Sequence, residues 1–144
     1  MARIKIDLPG SFHFTTQIPV RITDLNYGAH VGNDSVLSLL HEARVRYLKQ
    51  WGYTELDMGG VGVIMSDAVL AFRGESFYGD VWVIDVQATE FSRVGFELYY
   101  RVRTERDGRL QLIAEAKTGM ICFDYNARKP AGVPELFKTQ AASL

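Results

Sequence analysis

The stretch Asp24-Leu-Asn-Tyr-Gly-Ala-His-Val-Gly-Asn-Asp34, followed by Ser35-Val-Leu-Ser-Leu-Leu-His-Glu-Ala-Arg-Val-Arg-Tyr-Leu-Lys-Gln-Trp51, decides how this chain folds. Its second half places Val36, Leu37, Leu39, Leu40, Ala43, Tyr47, Leu48 and Trp51 at helical spacing, with Gly52 as the stop and Asn33 or Asp34 as the N-cap. The wide apolar stripe predicts one long helix with a sheet curled around it. Glu42 and Arg46 stand one turn apart on that helix and are expected to pair. The first half is a polar, glycine-bearing loop that runs into the helix start. Backbone N–H donors left free by the helix geometry thus share one segment with Asp24, Asn26, His30 and Asp34. An acid, a base and an oxyanion site within one short segment make it the first place to look for chemistry.

On either side of this segment the pattern changes to strands. From Phe12 to Ile22 apolar residues alternate with polar ones, and Pro19 removes one ladder donor, which puts this strand at or near a sheet edge. Beyond Gly59-Gly60 four strands follow with no second long helix. They run from about Val61 to Arg73, from Trp82 to Thr89, from Phe96 to Arg103 and from about Leu110 to Phe123. Asp107-Gly108 is a hairpin signal, since both residue types tolerate positive φ. Pro130 and Pro134 leave room for a short terminal helix at most. The order strand, long helix, four antiparallel strands defines an α+β domain over residues 1–144, with one long helix wrapped by an antiparallel sheet of about five strands. One helix covers one face only, so the far face, carrying Tyr99, Arg101 and Arg103, is expected to meet solvent, a second subunit or a phosphorylated ligand.

Composition narrows the functions available. At 144 residues, 47% apolar and 23% charged, the chain is an ordinary globular protein, and a net charge of −1 gives no electrostatic footprint for nucleic acid. No segment approaches the roughly 18 uninterrupted apolar residues of a membrane span, and there is no apolar signal core, which together point to the cytoplasm. The single Cys122 reads as a buried structural thiol. His13, His30 and His41 lack ligand spacing, so no metal or cofactor is expected.

Arg21-Ile-Thr-Asp-Leu-Asn-Tyr-Gly-Ala-His-Val-Gly-Asn33, Glu42-Ala-Arg44, Tyr78-Gly-Asp80 and Lys129-Pro130 together resemble the hotdog-fold acyl-CoA thioesterases of the 4-hydroxybenzoyl-CoA thioesterase-like type. The resemblance spans nearly the whole chain. It implies hydrolysis of an acyl-CoA by a homodimer or homotetramer whose active site lies between subunits. It further implies a thioester carbonyl held at the helix N-terminus, with Tyr27, Gly28, Val31, Gly32 and Asn33 against the substrate. Asp24 and His30 match the family motif, whereas Asn26 stands where the family commonly has a catalytic aspartate. An amide can orient or donate but cannot deprotonate water. The base is therefore sought among Asp24, His30 and Asp34, with His30 best suited by its near-neutral titration. Ser66 or Asp67 could also project toward the helix. Glu42 and Arg44 read as a structural ion pair or a partner contact, Asp80 as a turn former, and Met65 and Phe72 as core. A hydroxyacyl-thioester dehydratase and a non-catalytic acyl-CoA or aromatic-acid binder are the alternatives.

Overall fold

The computed structural model describes residues 4–142. In chain order they form β1 (Phe14–Pro19), a 3-10 turn (Ile22–Asp24), α1 (Asn33–Lys49), β2 (Gly62–Phe72), β3 (Val81–Thr89), β4 (Gly95–Arg106), β5 (Arg109–Asp124), β6 (Lys129–Pro130) and α2 (Glu135–Ala142). All pairings are antiparallel, in the order β1-β3-β4-β5-β2, with the two-residue β6 added to the end of β5. This is the hotdog architecture, α1 lying along a curled sheet. Pro19 sits on an edge strand, where a missing N–H breaks no ladder on the solvent side. Asp107 and Gly108 both take positive φ (53° and 77°) between β4 and β5, as a two-residue hairpin with this twist requires.

Alternation puts Trp82, Ile84, Val86 and Ala88 of β3 and Phe96, Leu98, Tyr100 and Val102 of β4 against α1, which contributes Val36, Leu39, Leu40, Ala43, Tyr47 and Leu48 to the same core. Phe137 of α2 closes one end through an edge contact with Trp51 and a tilted one with Phe96. Cys122 is fully buried, and desolvation pushes its thiol up to about 11, which leaves it inert at neutral pH.

Four expectations are corrected here. The far face of the sheet is not open. The N-terminal segment crosses it, with the Arg73 guanidinium donating to Ile4 O (3.0 Å), Arg101 stacked over Phe12 (4.9 Å), and the His13 N–H donating to Gln87 Oε1 (2.8 Å). Arg101 and Arg103 are held by the buried Asp85 carboxylate at 2.8 and 2.9 Å, so they are tied within the fold. Glu42 and Arg44 do not pair with each other. Glu42 bonds Arg46, as its one-turn spacing predicts, and Arg44 reaches Glu55. Lastly, Met65 and Phe72 are not core residues, being 40% and 46% exposed on β2.

Candidate functional site

The loop 24–32 is built around two short side chains. The buried Asp24 carboxylate accepts from the Arg21 backbone N–H (2.8 Å) and from its guanidinium (3.0 and 3.3 Å). Burial pushes this carboxyl upward, but the hydrogen bonds and charge of Arg21 outweigh it and hold Asp24 below the usual carboxylate range. Asn26 Oδ1 accepts from the Gly28 N–H (2.8 Å), closing a turn of the kind short amides make. The Asn26 N–H donates to His30 O (2.8 Å), and Leu25 and Val31 form an isolated bridge, so the tip 27–29 projects and Tyr27 is fully exposed.

The helix start follows from these bonds. Gly32, not Asn33 or Asp34, is the N-cap, with extended backbone (φ −72°, ψ 149°) and no side-chain cap. Its own N–H donates to Asp24 O (3.1 Å), while the Val31 N–H donates to Ser76 O (2.8 Å). The N–H groups of Ser35 and Val36 both turn back to Gly32 O. The donors of Asn33 and Asp34, the first two helical residues, are the ones left without an acceptor among the described residues. The free donors at the start of the helix are therefore these two. The Asp34 carboxylate folds back over Gly32, where an added Cβ would stand 2.6 Å from Asp34 Oδ1. In that place it interacts favourably with the helix dipole.

A cavity of about 290 Å³ opens at this helix end. One wall is His30, Val31, Asn33 and Val36; the other is Phe72, Gly74, Glu75, Ser76, Trp82 and the Ile113-Ala114 pair of β5. Of the residues singled out in the sequence, His30, Val31 and Asn33 meet in this space. Asp24, Asn26, Tyr27, Gly28, Gly32 and Asp34 lie outside its lining. Ser66 and Asp67 are also elsewhere: Ser66 is the bulged residue of β2, Asp67 follows it, and both bond the backbone of Gly119. His30 makes an edge contact with Phe77 (6.4 Å between ring centres).

The second wall was missed in the sequence, where Asp80 reads only as a turn former. Its organiser is Asp80, whose Oδ2 accepts from Ser76 Oγ (2.8 Å), the Phe77 N–H (2.9 Å) and Arg106 (2.5 Å). Burial raises the Asp80 carboxyl, yet these bonds and the Arg106 charge outweigh it and keep the group ionised well into acid. The Trp82 indole N–H donates to Ser76 Oγ (2.7 Å) and fixes that side of the cavity floor.

Comparison with known proteins agrees with this fold. The family description "Thioesterase-like superfamily" matches residues 20–141, and the chain belongs to that superfamily. Among solved structures, a thioesterase superfamily member from Jannaschia sp. CCS1 superposes with a TM-score of 0.83 at 16% identity, over 94% of this chain and 84% of the other. A 1,4-dihydroxy-2-naphthoyl-CoA thioesterase from Synechocystis gives 0.79 at 23% identity (91% and 96% covered). The 4-hydroxybenzoyl-CoA thioesterase of Pseudomonas sp. strain CBS-3 gives 0.78 at 19% identity (90% and 99% covered). At these identities the likeness is one of fold. No curated protein matches the chain.

Proposed function

We propose that this protein hydrolyses an acyl-CoA thioester to the free acid and CoA. The observation that carries the reading is the largely apolar cavity at the start of α1, lined by His30 and by Asn33, whose backbone donor, like that of Asp34 next to it, is unbonded among the described residues. A thioester carbonyl placed there would meet N–H groups and the positive end of the helix dipole just where negative charge develops on attack by water. Thiolate leaves readily, so a donor pair and a proton acceptor suffice. Superfamily membership supports the same chemistry, and the names of the solved relatives support CoA as the carrier. His30 is the proposed proton-transfer group of the loop; Asn26, by closing the turn at Gly28, sets the path that delivers it. The site would work in the cytoplasm with no metal or cofactor. Among the described residues no helix is long and apolar enough to cross a membrane.

Purified protein is expected to release free thiol from a panel of short, long and aromatic acyl-CoAs, and His30→Ala to lose about 10²-fold in kcat with its melting temperature retained. Full activity in the variant would remove His30 from the chemistry. Binding without thiol release across the panel would favour the non-catalytic binder.

The assembly proposed is a homodimer or a dimer of dimers. β2 is an edge strand of eleven residues that exposes Ile64, Met65 and Phe72, and an edge so long and apolar invites pairing with another strand. Met65→Lys is expected to shift the mass in solution, measured by light scattering, from dimer to monomer. An unchanged mass would place the contact elsewhere.

A further inference from the structure

We infer that Glu75 supplies the catalytic carboxylate that the loop before α1 lacks, acting as general base toward the attacking water from the wall opposite the helix. The inference rests on the hydrolase reading above.

Three observations support it. Among the described residues, Glu75 is the only carboxylate lining the cavity that also holds His30 and Asn33. Its main chain is anchored on both sides: the Gly74 N–H donates to Ile113 O (3.1 Å), Arg106 donates to Glu75 O (2.9 Å), and the next residue accepts from the Val31 N–H (2.8 Å). That last bond ties the loop directly to the segment carrying His30 and the helix start. By contrast, the Glu75 carboxylate forms no hydrogen bond among the described residues. Asp24, by comparison, is held by Arg21, Asp80 by Ser76, Phe77 and Arg106, and Glu115 by Arg73, while the Asp34 carboxylate, likewise without a partner among the described residues, lies outside the cavity lining. A rigid loop that leaves one acceptor unengaged at a cavity rim is the arrangement a general base needs, with geometry fixed and basicity available.

The step balances without a further reactant. As the water oxygen bonds to the thioester carbon, one water proton passes to the Glu75 carboxylate, and the carbonyl oxygen takes up negative charge at the start of α1, where the Asn33 N–H is unbonded. Collapse of the tetrahedral species restores the C=O bond and breaks C–S, and the Glu75 proton reaches the departing thiolate through His30, which takes up one proton and gives up another. The products are acid and thiol, and Glu75 returns to its ionised form. The titratable and charged groups around it are His30 across the cavity, Arg73 and Asp80 from its own loop and Arg106 from β4.

The test compares wild type, Glu75→Gln and Glu75→Asp in steady-state thiol release across pH on the best acyl-CoA of the panel. Glu75→Gln is expected to lose about 10²-fold in kcat, with KM within about twofold and loss of the acidic limb of the pH–rate profile. Glu75→Asp should recover part of the rate and the limb. Because the carboxylate bonds nothing, melting temperatures should agree within about 2 °C. An active wild type with Glu75→Gln equally active and the same pH profile would overturn the assignment and leave the hydrolase reading standing. A wild type that releases no thiol from any substrate would overturn both.

Discussion

Arg44→Leu is expected to lower folding stability by about 3 kcal/mol, a fall of about 6–12 °C in Tm for a chain of this size. Arg44 is 5% exposed, on the face of α1 that meets the sheet. Its guanidinium donates to Glu55 Oε2 (2.9 Å) and to the Tyr100 hydroxyl (3.3 Å), which in turn lies 2.7 Å from Thr118 Oγ1; Glu55 Oε1 lies 2.6 Å from His41 Nε2. Leucine fills much of the stem volume but leaves Glu55 with His41 alone and Tyr100 with Thr118 alone. Removing one member of a buried pair costs more than removing both, because a charge stays behind in a poorly solvated place. Glu55 keeps a quarter of its side chain exposed, which sets the effect at the lower end of the range for such losses. Arg44→Leu with Glu55→Leu should therefore regain most of the loss. Urea melts of the three proteins decide it. A double variant no more stable than the single one would mean that packing, not charge, holds this place.

The same pair predicts a pH dependence. Burial pushes the Glu55 carboxyl upward, but hydrogen bonds and charge from Arg44 and His41 outweigh it and hold the group below its ordinary value. A carboxylate depressed in the folded state contributes stability that is present above its unfolded pKa and is lost as pH falls through the folded one. The gap between wild type and Arg44→Leu should thus be widest near neutrality and narrow as the solution is acidified below about pH 4.

What the sequence made legible was whatever is local. The α1 stripe, the strand alternation and the Asp107-Gly108 turn are set by neighbours a few residues apart, and the fold followed from their order. Contacts between residues distant in sequence left no such trace. The strap over the far face rests on single bonds such as Arg73 to Ile4 O, made by residues 4–13 with no periodicity of their own. Glu42-Ala-Arg44 could not disclose that its two charges point apart, one to Arg46 along the helix and one inward to Glu55. At the site, the loop 24–34 was visible because its residue types are chemically distinctive. Its geometry was not, since the N-cap is decided by which carbonyls take the N–H groups of Val31 and Gly32, and one of those carbonyls belongs to Ser76, forty-five residues on. The same bond brings Glu75 to the cavity, and nothing in Arg73-Gly-Glu-Ser76 distinguishes it from an ordinary solvated turn.

Asn33→Pro is expected to lower kcat by about 10²–10³-fold while leaving the fold intact. Asn33 is the first residue of α1, and its N–H has no acceptor among the described residues, so in the free protein its loss removes no hydrogen bond. Proline is well suited to that position, its fixed φ matching a first helical turn. The residue before a proline must be extended, and Gly32 already is, at φ −72° and ψ 149°. The substitution therefore deletes one backbone donor from the cavity and little else. Asn33→Ala removes the side chain and keeps the donor, so it should retain activity within a few-fold of wild type. The two variants separate the backbone from the amide as the group that faces the thioester oxygen. Equal loss in both would assign the effect to the side chain. Activity in Asn33→Pro near that of Asn33→Ala, with a cooperative melt in each, would move the oxyanion site away from the start of α1.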